Sequence, residues 1–241
     1  MKYKLIYIAV VGAMLLMAVL SFTSANPAAD DDAIVSYIAD PQKQDIQLYW
    51  KDDKGAILQS IQNLKDYLGS KGKKLVFAMN GGMFMTNNAP LGLFIQQKHV
   101  VSSLNTASGE GNFYLKPNGV FYITNTNKAV VCTSSDFANN NVKYATQSGP
   151  MLVIGGEIHP AFKKGSVNLN IRNGVGILPD NRIVFAMSKK EINFYDFALF
   201  FKKLGCKHAL YLDGFVSRMY LPEKDQLQTD GNFGVIIGIS E

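Results

Sequence analysis

The chain has 241 residues, of which 47% are hydrophobic and 18% are charged. This length and composition allow a substantial buried core, which excludes a wholly disordered chain and a small disulfide-stapled protein. The formal net charge is only +5, and no run of Lys or Arg is longer than a pair, so nucleic acid and anionic membranes find little to bind. We therefore predict no nucleic-acid partner.

The N-terminus is typical of a cleaved signal peptide. Lys2 and Lys4 precede an apolar run over residues 5–20, and small residues follow it before Asn26. We expect a periplasmic or secreted protein with no stable membrane insertion after cleavage. The alternative is an uncleaved anchor, for which the apolar run is short. The predicted division of the chain is a signal peptide over 1–25, a flexible segment over 26–32 and one domain over 33–241.

The remainder alternates strand-like runs with two helical patterns. Apolar or alternating segments bounded by Gly, Asn and Pro predict strands over 33–39, 46–50, 75–79, 91–95, 112–115, 120–124, 129–132, 151–154, 175–178, 183–187, 208–212 and 235–239. Apolar residues at helical spacing predict a helix over 57–68, ended by Gly69, and another over 194–204, capped by Asn193. The predicted class is mixed α/β, a single strand-rich domain with two helices packed on a mixed sheet.

Cysteine and histidine are too sparse to indicate a structural metal site. Cys132 and Cys206 are the only cysteines, and an exported protein could either pair them or bury both as thiols. The three histidines lie far apart, without ligand spacing. The sequence requires no cofactor, and a divalent cation beside a carboxylate stays open.

Common catalytic motifs are missing, since the chain has no GxSxG, Walker, GxGxxG or HExxH pattern. Polar residues and glycines instead follow apolar strands in three blocks, where binding crevices form in α/β proteins. In the first block, Asn80, Gly81 and Gly82 follow a strand directly. Their backbone is open to a ligand, and Asn80 can donate and accept hydrogen bonds. The alternative is a tight Asn-Gly turn.

The second block contains Ser148 and Gly149, then His159, then Arg172 and Asn173. Only three of the 24 basic residues are arginine, and Arg172 stands inside a Gly/Asn turn. Its planar guanidinium suits bidentate binding of phosphate, and a structural salt bridge is the alternative. His159 is either an acid or base or an ordinary turn histidine.

The third block places Asp213 at the end of an apolar strand, followed by Gly214, Ser217 and Arg218. A carboxylate at this position suits a catalytic or ligand-fixing acid, and a hairpin turn is the alternative. The candidate partner carboxylates are Glu110, Glu157, Glu191 and Asp196. Glu191 has the best reach, because Asp196 falls near a helix N-terminus.

In order, the blocks NGGMF, PLGLFI, LNTASGEGNFYLKPNGVF, ATQSGPMLVIGGEIHP, IRNGVG and LGCKHALYLDGFVSRMY resemble the bacterial phosphodiester glycosidase family, which is related to the mannose-6-phosphate uncovering enzyme. The resemblance spans about residues 75–220. It implies a secreted or lumenal α/β domain, and the characterised member removes N-acetylglucosamine from a sugar phosphodiester. Carried over motif by motif, the implied site residues are Asn80, Arg172, Asp213, Gly214 and Ser217.

The expected activity is hydrolysis of a sugar-1-phosphodiester in an envelope or extracellular glycan. Asp213 would attack the anomeric carbon or activate water, while Arg172 would hold the departing phosphate, with Arg218 as the second candidate for that role. Asn80 completes the predicted catalytic set. The predicted substrate-binding residues are Gly81, Gly82, Ser148, Gly149, His159, Asn173, Glu191, Gly214, Ser217 and Arg218.

Two other functions compete with this one. A non-catalytic exported module could bind polysaccharide or a partner through the same crevice, and the eleven tyrosines would supply stacking surfaces. A nuclease or phosphatase acting at phosphorus would need a metal cluster or nucleophile that the sequence does not display. Convergence of Asn80, Arg172 and Asp213 in one cleft would favour the hydrolase.

This chain also carries Asn173 and Phe215 where many family members have Thr and Gly, which leaves its own substrate open.

Overall fold

The computed structural model describes residues 33–241, so the predicted signal peptide and flexible segment lie outside the described residues. The helices are α1 (Ile61–Ser70) and α2 (Phe194–Lys203). The strands are β1 (Ile34–Ala39), β2 (Ile46–Tyr49), β3 (Leu75–Asn80), β4 (Phe94–Gln96), β5 (His99–Ser102), β6 (Gly119–Thr124), β7 (Ala129–Thr133), β8 (Val142–Ser148), β9 (Met151–Ile154), β10 (Glu157–Ile158), β11 (Asn173–Ile177), β12 (Ile183–Ser188), β13 (Ala209–Tyr211), β14 (Met219–Leu221), β15 (Gln226–Leu227) and β16 (Ile236–Ser240).

These strands form three sheets. Sheet I has the order β1-β12-β11-β13-β9-β10, sheet II the order β15-β14-β3-β16-β2, and sheet III the order β5-β4-β8-β6-β7. Every strand pair within residues 33–241 is antiparallel. The strand-rich class with two helices is confirmed, but the predicted mixed sheet is wrong. The segment that contains α2 connects β12 to β13, but these two strands are not neighbours in the sheet. Strand β11 lies between them and pairs antiparallel with both.

One apolar core joins the three sheets. Phe77 of sheet II stacks on Phe185 of sheet I at a centroid distance of 5.2 Å, and Phe121 of sheet III meets Phe185 edge-on at 5.8 Å. All three rings have 0% exposure. Such aromatic pairs add specific geometry to the burial of apolar area. The sheets are therefore held in a fixed relation at the centre of the molecule.

Both predicted helices exist, although the first starts later than its apolar spacing indicates. The Ser60 side chain accepts a hydrogen bond from Asn63 N at 3.1 Å and so caps α1. Ile57 instead pairs with Lys51 in an isolated antiparallel bridge. The predicted Asn193 cap of α2 is confirmed, since Asn193 Oδ1 accepts from Asp196 N at 2.9 Å.

Other differences concern segments whose local pattern is ambiguous. The strand predicted over 112–115 is a 3₁₀ turn, Asn112–Tyr114. Conversely, β8 was not predicted because its sequence, VKYATQS, mixes polar and apolar residues. Sheet III places β8 between β4 and β6, and this central position buries its polar residues. The remaining unpredicted strands are β5, β10, β14 and β15.

The two cysteines are free thiols, so the disulfide alternative is wrong for this structure. Cys206 is buried and Cys132 is half-buried. Burial raises the pKa of Cys132 to about 11 and that of Cys206 to about 12, which keeps both thiols protonated at neutral pH. Within residues 33–241, no helix has the length and apolar character needed to cross a membrane.

Candidate active site

Asn80, the last residue of β3, ties three segments together where sheets I and II meet. Its Nδ2 donates to Asp213 O at 2.6 Å, and its Oδ1 accepts from Asn173 Nδ2 and from Arg218 N, both at 3.0 Å. Asn173 begins β11, and the two other partners lie beyond β13. Asn80 is 1% exposed. Because its amide group is used within the protein, Asn80 fixes the position of the Asp213 backbone.

The two glycines after Asn80 allow neighbouring strands to approach closely. A Cβ on Gly82 would overlap Thr146 Oγ1 and Gln147 O, and one on Gly81 would lie 2.9 Å from Val235 Cγ1. Neither glycine has a positive φ. Glycine is therefore needed at both positions because there is no room for a Cβ atom. The tight-turn alternative does not describe this segment. Gly81 O also accepts from Asp213 N at 3.2 Å.

The Asp213 carboxyl group is mostly buried. Burial raises its pKa from the ordinary 3.8 to about 6, and no hydrogen bond or neighbouring charge within residues 33–241 contributes to the shift. The main chain of Asp213 is held at both its N–H and its carbonyl oxygen. A carboxyl group that is fixed in place and free of partners is suited to react with a ligand.

Two further buried oxygen atoms in these blocks have no hydrogen-bond partner, Asn173 Oδ1 and Ser148 Oγ. Asn173 also accepts from Leu212 N at 3.1 Å through its carbonyl oxygen, which places it beside the Asp213 turn. Ser148 ends β8 on the same strand face as Thr146, the residue that meets Gly82. A buried acceptor without a donor costs roughly 1–3 kcal/mol.

Tyr211 holds the turn that follows Asp213. Its hydroxyl group packs against Gly214, where an added Cβ would overlap it. The pKa of this phenol is raised to about 12, chiefly by burial. On the other side of the turn, Ser217 Oγ donates to Gly214 O at 2.8 Å. Gly214 and Ser217 therefore shape the turn through contacts within the protein.

We expect Gly214→Ala to lower the free energy of unfolding by about 2 to 3 kcal/mol, because the new methyl group must displace Tyr211. Gly69→Ala is the matched control. Gly69 lies in α1 with open space around its Cα, and alanine there should raise stability by about 0.5 to 1 kcal/mol. Urea unfolding of both variants measures the difference. Equal stability of the two variants would show that Tyr211 does not lie against Gly214.

Arg172 is buried and bound to protein groups. It is 1% exposed, its Nε donates to Ile192 O at 2.7 Å, and its Nη2 donates to Asn168 O at 2.9 Å. Nη1 points to Tyr211 Oη at 3.5 Å. Burial lowers the pKa of Arg172, although a guanidinium stays charged at any physiological pH. The contacts place Arg172 behind Tyr211, one residue removed from the Asp213 turn, and no salt bridge involves it within residues 33–241.

A continuous stack of planar groups supports Arg172. Its guanidinium carbon lies 3.6 Å from the ring centroid of Phe194, Phe194 stacks on Phe162 at 4.8 Å, and Phe162 stacks on His159 at 4.8 Å. His159 is 2% exposed; its Nδ1 accepts from Ala161 N, and its Nε2 lies 3.1 Å from Lys116 O. Burial lowers the pKa of His159, which favours the neutral ring. His159 thus joins the site through this stack, in a structural position.

The remaining predicted site residues have fewer contacts with Asn80 and Asp213. The Arg218 guanidinium pairs with Asp230 through Nε at 2.8 Å, and Nη1 donates to Ser217 O at 2.9 Å. Gly149 packs against Asn118 at the end of β8. Glu191 is exposed and makes no contact with the Asn80 junction among the described hydrogen bonds and ion pairs. Of the other candidate carboxylates, Glu157 pairs with Lys202 and Asp196 accepts from Asn193.

Asn80 and Asp213 therefore meet directly, while Arg172 reaches them through Tyr211. Sequence reasoning missed Tyr211, Phe194 and Phe162. In the sequence these three residues look like ordinary core residues. The one signal was Gly214, directly after Asp213, because a glycine there allows another side chain to approach the backbone closely. No group of three His, Cys, Asp or Glu side chains in the described part of the chain is placed to hold a metal ion.

Residues 73–234 match the phosphodiester glycosidase family, and the chain belongs to that family. The resemblance found in its sequence blocks is thereby confirmed. The uncharacterized protein YigE of Escherichia coli strain K12 is 38% identical over 202 residues, which cover 80% of this chain and 79% of that protein.

Solved structures share the fold. The catalytic domain of zebrafish N-acetylglucosamine-1-phosphodiester alpha-N-acetylglucosaminidase, auto-inhibited by its pro-peptide, aligns with a TM-score of 0.62 and 16% identity, over 88% of this chain and 85% of that chain. A hypothetical protein from Synechocystis aligns with a TM-score of 0.55 and 13% identity, over 86% of this chain and 59% of that chain. At these identities the likeness concerns the fold.

Proposed function

We propose that this protein is an exported hydrolase that cleaves the bond between the anomeric carbon of a sugar and the oxygen of a phosphodiester. The observation that carries the proposal is the Asp213 carboxyl group, which is fixed through its main chain, mostly buried and without a partner. Family membership supports a phosphodiester glycoside as the substrate class. The signal-like sequence over residues 1–25 supports action in the periplasm or outside the cell.

The reaction adds water across one bond. The anomeric carbon loses the phosphate oxygen and gains a hydroxyl group, which yields a free sugar and a phosphate monoester. Because a phosphate monoester leaves more readily than a sugar hydroxyl, the step needs little help from a general acid. Asp213 either attacks the anomeric carbon or takes a proton from the attacking water.

The other groups would bind the two halves of the substrate. Asn173 Oδ1 and Ser148 Oγ are buried oxygens without partners, and hydrogen bonds with sugar hydroxyl groups would require the surrounding side chains to open. The Arg218 guanidinium is half-exposed, and its Nη2 has no hydrogen-bond partner within residues 33–241, so it suits the departing phosphate. In this mechanism Arg172 and Asn80 act as positioning residues, since their polar groups hold the protein chain around Asp213.

Hydrolysis by the purified chain from residue 26 onwards tests the proposal. The substrates are methyl and aryl phosphodiesters of N-acetylglucosamine, glucose, mannose and galactose, and the products are assayed as free sugar and phosphate monoester. Release of both from the wild type, with loss in Asp213→Asn, is the expected result. A chain that binds envelope polysaccharide but hydrolyses none of these compounds would be the non-catalytic binding module.

We expect kcat/KM to rise with pH and to reach half its maximum near pH 6. The reason is that Asp213 must be ionised to attack carbon or accept a proton, and burial raises its pKa to about 6. The phosphodiester stays singly charged over this range, so the substrate adds no ionisation of its own. A rate that instead falls as pH rises through 6 would make Asp213 the acid in the reaction.

A further inference from the structure

The two most exposed large hydrophobic side chains of residues 33–241 lie in segments that border the candidate active site. Val167 is 93% exposed and Phe215 is 89% exposed. Phe215 is two residues from Asp213, and its ring makes no aromatic contact among the described residues. A phenyl group this exposed, two residues from the Asp213 carboxyl group, presents an open apolar face that a ligand bound at Asp213 can cover.

One series of contacts joins the two segments that carry these side chains. Arg172 Nη2 donates to Asn168 O at 2.9 Å, and Arg172 Nη1 points to Tyr211 Oη at 3.5 Å. Tyr211 in turn packs against Gly214. Asn168 directly follows the exposed valine, and Gly214 directly precedes the exposed phenylalanine. Each apolar side chain is therefore adjacent in sequence to a residue at one end of this series of contacts.

Phe215 is also displayed on a fixed turn. Gly214 O accepts from Ser217 Oγ at 2.8 Å and from Ser217 N at 3.1 Å. On the other side, Asp213 O accepts from Asn80 Nδ2 at 2.6 Å. A side chain held in this way loses little conformational freedom when a ligand covers it.

We propose that Phe215 is the surface on which a pyranose ring of the substrate stacks, and that Val167 extends this apolar rim. The inference rests on the proposed function. A pyranose ring has apolar C–H groups on its faces, and these match the exposed aromatic face of Phe215, which lies two residues from the Asp213 carboxyl group. The sugar, more than the group esterified to the far side of the phosphate, would then determine specificity.

The test measures binding apart from catalysis. In an Asp213→Asn background, calorimetry gives Kd for the methyl phosphodiesters of the four sugars, so that no aryl group is present. Phe215→Ala should raise Kd about tenfold, whereas Phe215→Tyr and Phe215→Trp, which keep an aromatic face, should stay within about twofold. With Asp213 intact, Phe215→Ala should raise KM and change kcat little.

Two controls separate stacking from general effects. Val167→Ala should weaken binding about twofold, while Val100→Ala, at a half-exposed valine on β5 in sheet III, should leave Kd unchanged. Phenyl methyl phosphate, which lacks a sugar, should bind with no dependence on Phe215. Thermal unfolding of Phe215→Ala should match that of the parent, since the ring is 89% exposed.

Each outcome decides the inference. An unchanged Kd in Phe215→Ala overturns it, as does a Phe215 dependence that follows the phenyl group of the sugar-free probe. If the wild type hydrolyses nothing but sugar binding still depends on Phe215, the stacking site stands and the proposed reaction fails. If no sugar phosphodiester binds at all, both proposals fail.

Discussion

Asp213→Asn is expected to cause a large loss of hydrolysis and, at the same time, to stabilise the protein above pH 6. The activity should fall by about 10²- to 10⁴-fold, the range for loss of a positioned acid or base. The stability gain arises because an isolated carboxylate is costly to bury, and asparagine has similar shape without the charge. A loss of activity combined with a gain in stability would identify Asp213 as a functional residue, because replacing a merely structural aspartate would not stabilise the fold.

The stability gain depends on pH in a definite direction. Burial raises the pKa of Asp213 from 3.8 to about 6, so ionisation is harder in the folded state than in the unfolded state. The wild type therefore loses stability as pH rises through the interval between these values. A shift of about two pKa units corresponds to about 3 kcal/mol, so we expect a gain of about 1 to 3 kcal/mol at pH 8 and almost none at pH 4.

Asp66→Asn provides the matched control for both effects. Asp66 is an exposed residue of α1 that accepts a hydrogen bond from Gln62 at 2.9 Å. The same chemical change there should leave activity intact and shift stability by less than about 0.5 kcal/mol. Chemical denaturation at pH 4 and pH 8 gives the stabilities. If Asp213→Asn were no more stable than the wild type at pH 8, the carboxylate would have a partner that the described residues do not supply.

Arg172→Lys and Arg172→Ala are expected to destabilise the fold, with alanine costing about 3 to 5 kcal/mol. The guanidinium satisfies the carbonyl oxygens of Ile192 and Asn168 and stacks on Phe194. Lysine retains the charge, but its single ammonium group cannot reproduce this planar set of donors. Domain stability is about 5–15 kcal/mol in total, so the loss is large.

This result would separate two roles for Arg172. If it positions the Asp213 turn through Tyr211, Arg172→Lys should lower both the unfolding midpoint and kcat, and KM should change less. If it instead bound the substrate phosphate directly, KM would rise while the unfolding midpoint stayed constant. The control is Arg182→Lys, at an arginine that pairs with Asp180 in the turn between β11 and β12, where little change is expected.

Short local signals explain which parts of the fold could be predicted. Helix α2 is predicted by its capping residue, Asn193, and by its apolar spacing, because both signals lie within the helical segment itself. The hairpin of β11 and β12 follows from a Pro-Asp-Asn turn between two apolar runs. In contrast, β8 was missed because the burial of Thr146, Gln147 and Ser148 depends on strands far along the chain.

The sequence by itself determined the family and proposed Asp213 as the reactive residue, because ordered blocks such as NGGMF and LYLDG can be recognised without knowing which residues lie near them in space. Only the tertiary structure decided what each polar residue does. It joins Asn80 to Asp213 across 133 positions of sequence and places Arg172 behind Tyr211. The physical reason is that hydrogen-bond partners and desolvation are properties of contacts between distant segments, and these contacts leave the Asp213 carboxyl group mostly buried and without a partner.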